Sequence, residues 1–168
     1  MIKKLTGKAG MSLMEMMASL LILVLLVVGM NTGMTAGLRV YQNSKNVTDR
    51  AMLTSSINTK LTDILRYTEV RTVNNKTLYT NLEYGLWDVT FEAVEGKIQI
   101  NFWDKTGKTI VKKTPLINSD TYSIFKVKDD FVVSYNEDGY FDISYTLLNT
   151  GNNSSSQLIQ AVVRVIND

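Results

Sequence analysis

The sequence predicts an α+β protein in which a long N-terminal helix, membrane-spanning in its first half and amphipathic in its second, packs on an antiparallel β-sheet. Two observations carry that expectation. Residues 11–30 are almost wholly apolar, and residues 38–68 keep a helical period with no proline among them. After them come stretches that alternate apolar and polar residues, rich in β-branched and aromatic side chains and separated by glycine-bearing turns. A helix followed by a run of strands is the α+β order.

The chain has 168 residues, enough for one membrane segment and one domain of about 100 residues. Its formal charge is +2, but three of its 18 Lys+Arg (Lys3, Lys4 and Lys8) precede the apolar run, leaving 15 against 16 Asp+Glu from residue 11 onward. Without a basic excess there, no nucleic-acid binding is evident. Cysteine and histidine are both absent. Disulfides, thiol chemistry, ordinary zinc sites and His-based acid/base mechanisms are therefore excluded, so the expectation is a protein that is not an enzyme and carries no cofactor.

Between Met11 and Met30 the only polar side chains are Ser12, Glu15 and Ser19. As a helix these residues extend ~30 Å, the hydrocarbon thickness of a bilayer. Lysines cluster ahead of the run, and the next basic residue after it is Arg39. That asymmetry predicts a single pass with the N-terminus cytoplasmic and the rest outside.

Three readings fit this segment. A secretory signal peptide has the same basic start and apolar centre, with the small residues Thr35, Ala36 and Gly37 placed for a cut before Leu38. A plain uncleaved anchor needs only length and flanking charge. Neither accounts for Glu15, since a carboxylate in an apolar span costs on the order of 2.5 to 3.5 kcal/mol near its centre, less toward its end. The stretch "AGMSLMEMMASLLILVLLVV" resembles the N-terminus of the type IV pilin and pseudopilin family, in which a short basic leader ends in glycine and glutamate is the fifth mature residue.

That resemblance covers roughly residues 3 to 38 and implies a prepilin leader at 1–10. It implies cleavage by a membrane prepilin peptidase between Gly10 and Met11, and N-methylation of Met11. It further implies filament assembly with other pilin or pseudopilin subunits, on a membrane assembly platform driven by a cytoplasmic ATPase. A new α-amino cation at Met11 would sit about a turn from Glu15, and each charge alone would be poorly solvated in lipid. Between neighbouring subunits the amine and the Glu15 carboxylate are expected to form an assembly salt bridge, which would penalise misaligned packing.

The chain departs from the family pattern at three places. Met stands at the first mature position, where Phe is more usual, and Met at the fourth, where Ile is common. Thr32 stands where the family often has a helix-kinking proline. In its place Gly29, Gly33 and Gly37 recur at spacing four along one helical face. Two roles are open: helix flexibility, since each glycine weakens a helix by roughly 1 kcal/mol relative to alanine, or close helix packing in the bilayer.

From Leu38 to Val70 the apolar stripe is expected at Val40, Val47, Ala51, Ile57, Leu61, Ile64 and Leu65. One helix over 11–68, with its membrane part at about 11–36, would measure ~85 Å. Its second half needs a cover, and the globular domain at 69–168 supplies it. "LWDVTFEAV" and "KIQINFW" read as a hairpin turning at Glu95 and Gly96, followed across "DKTG" by "KTIVKK". After Pro115 come "YSIFKV", then "DFVVSYN" and "YFDISYTLL" joined at "EDG", and a last strand with Ile159, Ala161, Val163 and Val165 on one face.

Acids gather in "KDD" (Lys128 to Asp130) and "NEDG" (Asn136 to Gly139), but a strand start and a hairpin turn explain them without the six to eight oxygen ligands that calcium takes. Of the two tryptophans, Trp103, at the end of its strand, is the one expected at the surface. Two functional classes follow: a structural subunit of a pilus-like filament, or a bitopic or secreted binding domain that never polymerises.

Overall fold

The computed structural model describes residues 12–136, 138–151 and 155–166. The chain is α+β, as expected. One helix, α1 (Leu13–Arg66), precedes nine strands: β1 (Glu69–Val73), β2 (Lys76–Asn81), β3 (Leu86–Val94), β4 (Lys97–Trp103), β5 (Ile110–Pro115), β6 (Phe125–Val127), β7 (Val132–Asn136), β8 (Tyr140–Asn149) and β9 (Ser156–Arg164). A 3₁₀ turn at Ser119–Tyr122 lies between β5 and β6. Residues 1–47 and 48–168 form two separate compact units, and the division falls inside α1.

In the first unit every described residue from Ser12 to Lys45 is exposed. The helix there satisfies its own backbone, while its apolar side chains from Leu13 to Val28 stand uncovered. It is long and apolar enough to cross a membrane.

In the second unit the end of α1 buries Leu53, Ile57, Leu61, Ile64 and Leu65, at successive spacings of four, four, three and one. This corrects the predicted stripe: Leu53 is buried, whereas Ala51, Val47 and Val40 are exposed. Two antiparallel sheets, not one, receive that stripe. The first runs β1-β2-β3-β4-β5 as a plain meander, and in the second β8 pairs with β6 and β7 along one side and with β9 along the other. Tyr79, Val89, Ile98 and Ile100 of the first sheet meet Phe125, Phe141, Ile143, Tyr145 and Leu147 of the second in a single cluster with the helix.

Turn chemistry sets the first sheet's register. Glu95 and Gly96 take φ of +53° and +80°, closing the predicted β3–β4 hairpin with Val94 opposite Lys97. Gly96 has a second reason to be glycine: a Cβ there would lie 2.8 Å from the Lys126 side chain, because the Gly96 carbonyl accepts from the Val127 amide and so ties the turn to the second sheet. The β1–β2 hairpin was not anticipated. Its turn is Asn74-Asn75 at φ +50° and +59°, and asparagine tolerates the left-handed region better than most residues. "YSIFKV" also divides, its first residue closing the 3₁₀ turn and only Phe125 to Val127 pairing with β8.

Buried polar groups are tied to specific partners. The Tyr122 hydroxyl accepts from the Ile98 amide at 2.9 Å, and the Tyr145 hydroxyl donates to Asn58 Oδ1 at 3.0 Å. Burial raises the pKa of both tyrosines, so they stay neutral and tie the 3₁₀ turn to the first sheet and the second sheet to the helix. Arg50 of α1 reaches the start of β9, donating to Ser155 Oγ and Gln157 Oε1 at 2.8 and 3.0 Å.

The β4–β5 turn is organised by Asp104. Its Oδ2 accepts from the Thr106 hydroxyl at 2.6 Å, and its Oδ1 from the Lys108 and Thr109 amides at 2.9 and 3.3 Å. Chiefly the Thr106 bond, opposed by desolvation and supported by the two amides, lowers the carboxyl pKa to about 2. A depressed carboxylate stabilises the fold above its unfolded pKa, and that contribution disappears as pH falls through the folded value. The window therefore runs from about pH 4 down to about pH 2, and Asp104→Ala should flatten that part of a stability-versus-pH curve measured by urea unfolding.

The phase of the α1 stripe has its own test. Leu53→Ala should cost about 2–5 kcal/mol, whereas Met52→Ala, at a side chain 64% exposed, should stay within about 0.5 kcal/mol, both read by chemical denaturation.

Candidate functional site

The residues singled out from the sequence lie in the first unit. Gly10 and Met11, the proposed cleavage pair and methylation site, are outside the described residues, as is the whole of the proposed leader at 1–10. Glu15 is in the first turn of α1, and its carboxylate has a partner in its own chain. The Ser12 amide donates to Glu15 Oε2 at 3.1 Å, and the Glu15 amide donates to Ser12 Oγ at 3.2 Å. This is a capping box, S-x-x-E, in which two amides that the helix leaves unsatisfied are covered reciprocally. The spacing stands in the sequence as "SLME", a four-residue signal that the expectation from the apolar run does not use.

The box gives Glu15 a local reason to stand ahead of an apolar run. A carboxylate at a helix N-terminus also lies at the positive end of the macrodipole, a further stabilisation of about 0.3–1 kcal/mol. Its cost in a bilayer is correspondingly smaller than at mid-span. Both partners lie downstream of the Gly10–Met11 bond. A carboxylate accepts at two oxygens, and the box engages Oε2.

Gly29, Gly33 and Gly37 are all helical, and a Cβ at any of them would meet nothing within 4 Å. Within one chain no close contact demands a glycine at these positions. Two hydroxyls interleave with them: Thr32 donates to the Val28 carbonyl and Thr35 to the Asn31 carbonyl, each at 2.8 Å. Such back-bonding satisfies the hydroxyl inside an apolar setting and slightly weakens and bends a helix. Residues 28–37 thus combine three glycines with two back-bonded threonines.

In the second unit the surface aromatics differ from the expectation. Trp103 is half-buried: its indole N–H donates to Thr90 Oγ1 at 2.9 Å, and Lys76 Nζ stands 3.7 Å from the ring centre. Trp87 is the exposed tryptophan, at 62%. In the "KDD" stretch, Asp130 Oδ1 accepts from the Thr146 amide at 3.0 Å, which is the strand-start role. Among the described residues no group of three or more acids is arranged to hold a metal ion.

Compared with protein-family models, with curated proteins and with solved structures, the chain matches none of them.

Removal of the capping hydroxyl has a readable consequence. Ser12→Ala should loosen the start of α1 by about 0.5–2 kcal/mol, seen as faster hydrogen exchange at the amides of residues 13–16 with exchange beyond Arg50 unchanged.

Proposed function

We propose that this chain is a structural subunit of a type IV pilus-like filament, processed by a prepilin peptidase after Gly10 and assembled through the apolar first part of α1. The observation that carries this is the placement of Glu15, one carboxylate in a fully exposed apolar helix, five residues in when Met11 is counted as the first. Side chains from Leu13 to Val28 find no cover within their own unit. Lipid covers them before assembly, and helices of neighbouring subunits cover them afterwards. In lipid, helices associate through close packing and polar contacts, since burial alone offers little gain there. A charge pair between the Met11 amine and the next subunit's Glu15 supplies such a contact and sets the axial step. The capping box suits this role, since it holds the carboxylate at the helix start, beside the new terminus. The weakened stretch at 28–37 would let the helix adjust as it leaves the bilayer for the filament.

One observation favours a second reading. The capping box accounts for Glu15 with no partner chain, as a membrane-anchored or secreted binding domain requires. The mass of the mature N-terminus separates the two: methylated Met11 supports the filament subunit, whereas intact Met1 or a chain beginning at Leu38 supports the other. Glu15→Gln retains an acceptor for the Ser12 amide but removes the charge. It should leave membrane insertion unchanged and reduce filament yield by at least about tenfold, counted by electron microscopy of sheared cell-surface material. Filaments at the parental level would refute the salt bridge.

A further inference from the structure

We infer that the second unit carries two mutually complementary surfaces, through which one copy of this chain docks head-to-tail on another. The first surface is at the end of α1. Tyr67, Leu82, Tyr84 and Trp87 are exposed there by 47, 60, 45 and 62%, large apolar side chains contributed by the helix exit, the β2–β3 loop and the start of β3. Two carboxylates accompany them: after desolvation, the charges of Asp63 and Glu83 raise the pKa of the Tyr84 hydroxyl. The loop is braced against the helix. Buried Asn81 donates to the Ile64 carbonyl and accepts from the Tyr84 amide, Thr68 donates to the same Ile64 carbonyl at 2.6 Å, and the Gly85 amide closes on Leu82. Exposed aromatics on a braced loop lose little conformational freedom on binding, and Trp and Tyr are the residues that most often dominate an interface.

The second surface is the β4–β5 hairpin. Among the described residues β5 is an edge of the five-stranded sheet, with no strand beyond it. It exposes Ile110 and Val111 by 38 and 71%, and carries Lys112 and Lys113 beside Lys105 and Lys108 of the turn. The acid of that segment, Asp104, is engaged by the turn itself. Lysines on a free edge discourage indiscriminate strand pairing. Opposite a surface that is aromatic and acidic they become a specific attraction, ammonium against carboxylate and ring face, with Val111 against Leu82 and Trp87. Because the two surfaces are different patches, each copy has one of each to offer, and the contact propagates as an open row and does not stop at a dimer.

The contact extends the filament reading to the heads of adjoining subunits, but it uses residues of the second unit alone. It is therefore tested on the full-length chain in detergent, where neither processing nor membrane extraction is required. The chain contains no cysteine, which gives a clean background for disulfide trapping. On mild oxidation at raised protein concentration, the double variant Tyr84→Cys/Val111→Cys should form a ladder of multimers, and a mixture of the two single variants should stop at dimers. Adding Lys112→Glu and Lys113→Glu should reduce trapping roughly tenfold, and Glu83→Lys in that background should recover much of it. Circular dichroism confirms that each variant is folded. Either of two results would overturn the proposal: no ladder from the folded double variant, or the Tyr84→Cys variant alone cross-linking as well as the mixture. The filament reading is judged separately, by the mass of the mature N-terminus.

Discussion

Burial of one helical stripe, Leu53 to Leu65, organises the second unit. Neither sheet closes a core by itself: each offers one apolar face, and the two faces and the helix share a single cluster. Tyr145 and Phe125 sit at its centre with almost no exposed surface, and the Tyr145 hydroxyl ties that centre back to Asn58 on the helix. With no disulfide available, cohesion of the unit depends on this packing and on the polar bridges that cross it. The last carbonyls of α1 belong to the same arrangement. Ile64 accepts from Thr68 and Asn81, Leu65 from the Thr68 amide, and Arg66 from the Ile166 amide. The helix end is thereby closed by the strands that it carries.

The same helix obeys a different rule in the first unit. There, from Met16 to Val28, its side chains are apolar around almost the whole circumference and uncovered, which suits a bilayer or a bundle of like helices better than water. Backbone hydrogen bonding within the helix is what permits one secondary structure to serve both settings. Where the two settings meet, the sequence changes from uniform to periodic apolarity, and Asn46 is the first residue along α1 to lose exposure. The proposed filament role uses this division: one part is recognised by lipid and by neighbouring helices, the other presents a surface.

The local role of Glu15 is compatible with the assembly role proposed for it. The Ser12–Glu15 box is complete within four residues and asks nothing of a partner. It lowers the cost of carrying a carboxylate at the edge of the hydrocarbon and holds that carboxylate beside the position of Met11. A group already anchored in place loses less freedom when a cation arrives, so the cap and the proposed salt bridge reinforce each other.

Much of this architecture is local in origin, and that part was legible in the residues alone. The apolar run, the helical period after it, the bounds of β3 and β4 and the turn at Glu95-Gly96 all follow from nearest-neighbour patterning and turn chemistry. The capping box was legible too, being a four-residue signal. Other features depend on residues far apart in the chain. The stripe runs through Leu53 and not Ala51, because the side of the helix that meets the sheets decides burial. Strands form two sheets because β8 gathers β6, β7 and β9 around itself. Trp103 is tucked under Lys76 while Trp87 faces solvent, an exchange that cross-strand neighbours impose and strand position cannot foretell. Sequence by itself determined which segments are helix, strand and membrane-length span, since those depend on contacts within a few residues; tertiary structure decided which face of each is hidden, since burial is set by partners that only the folded chain brings together.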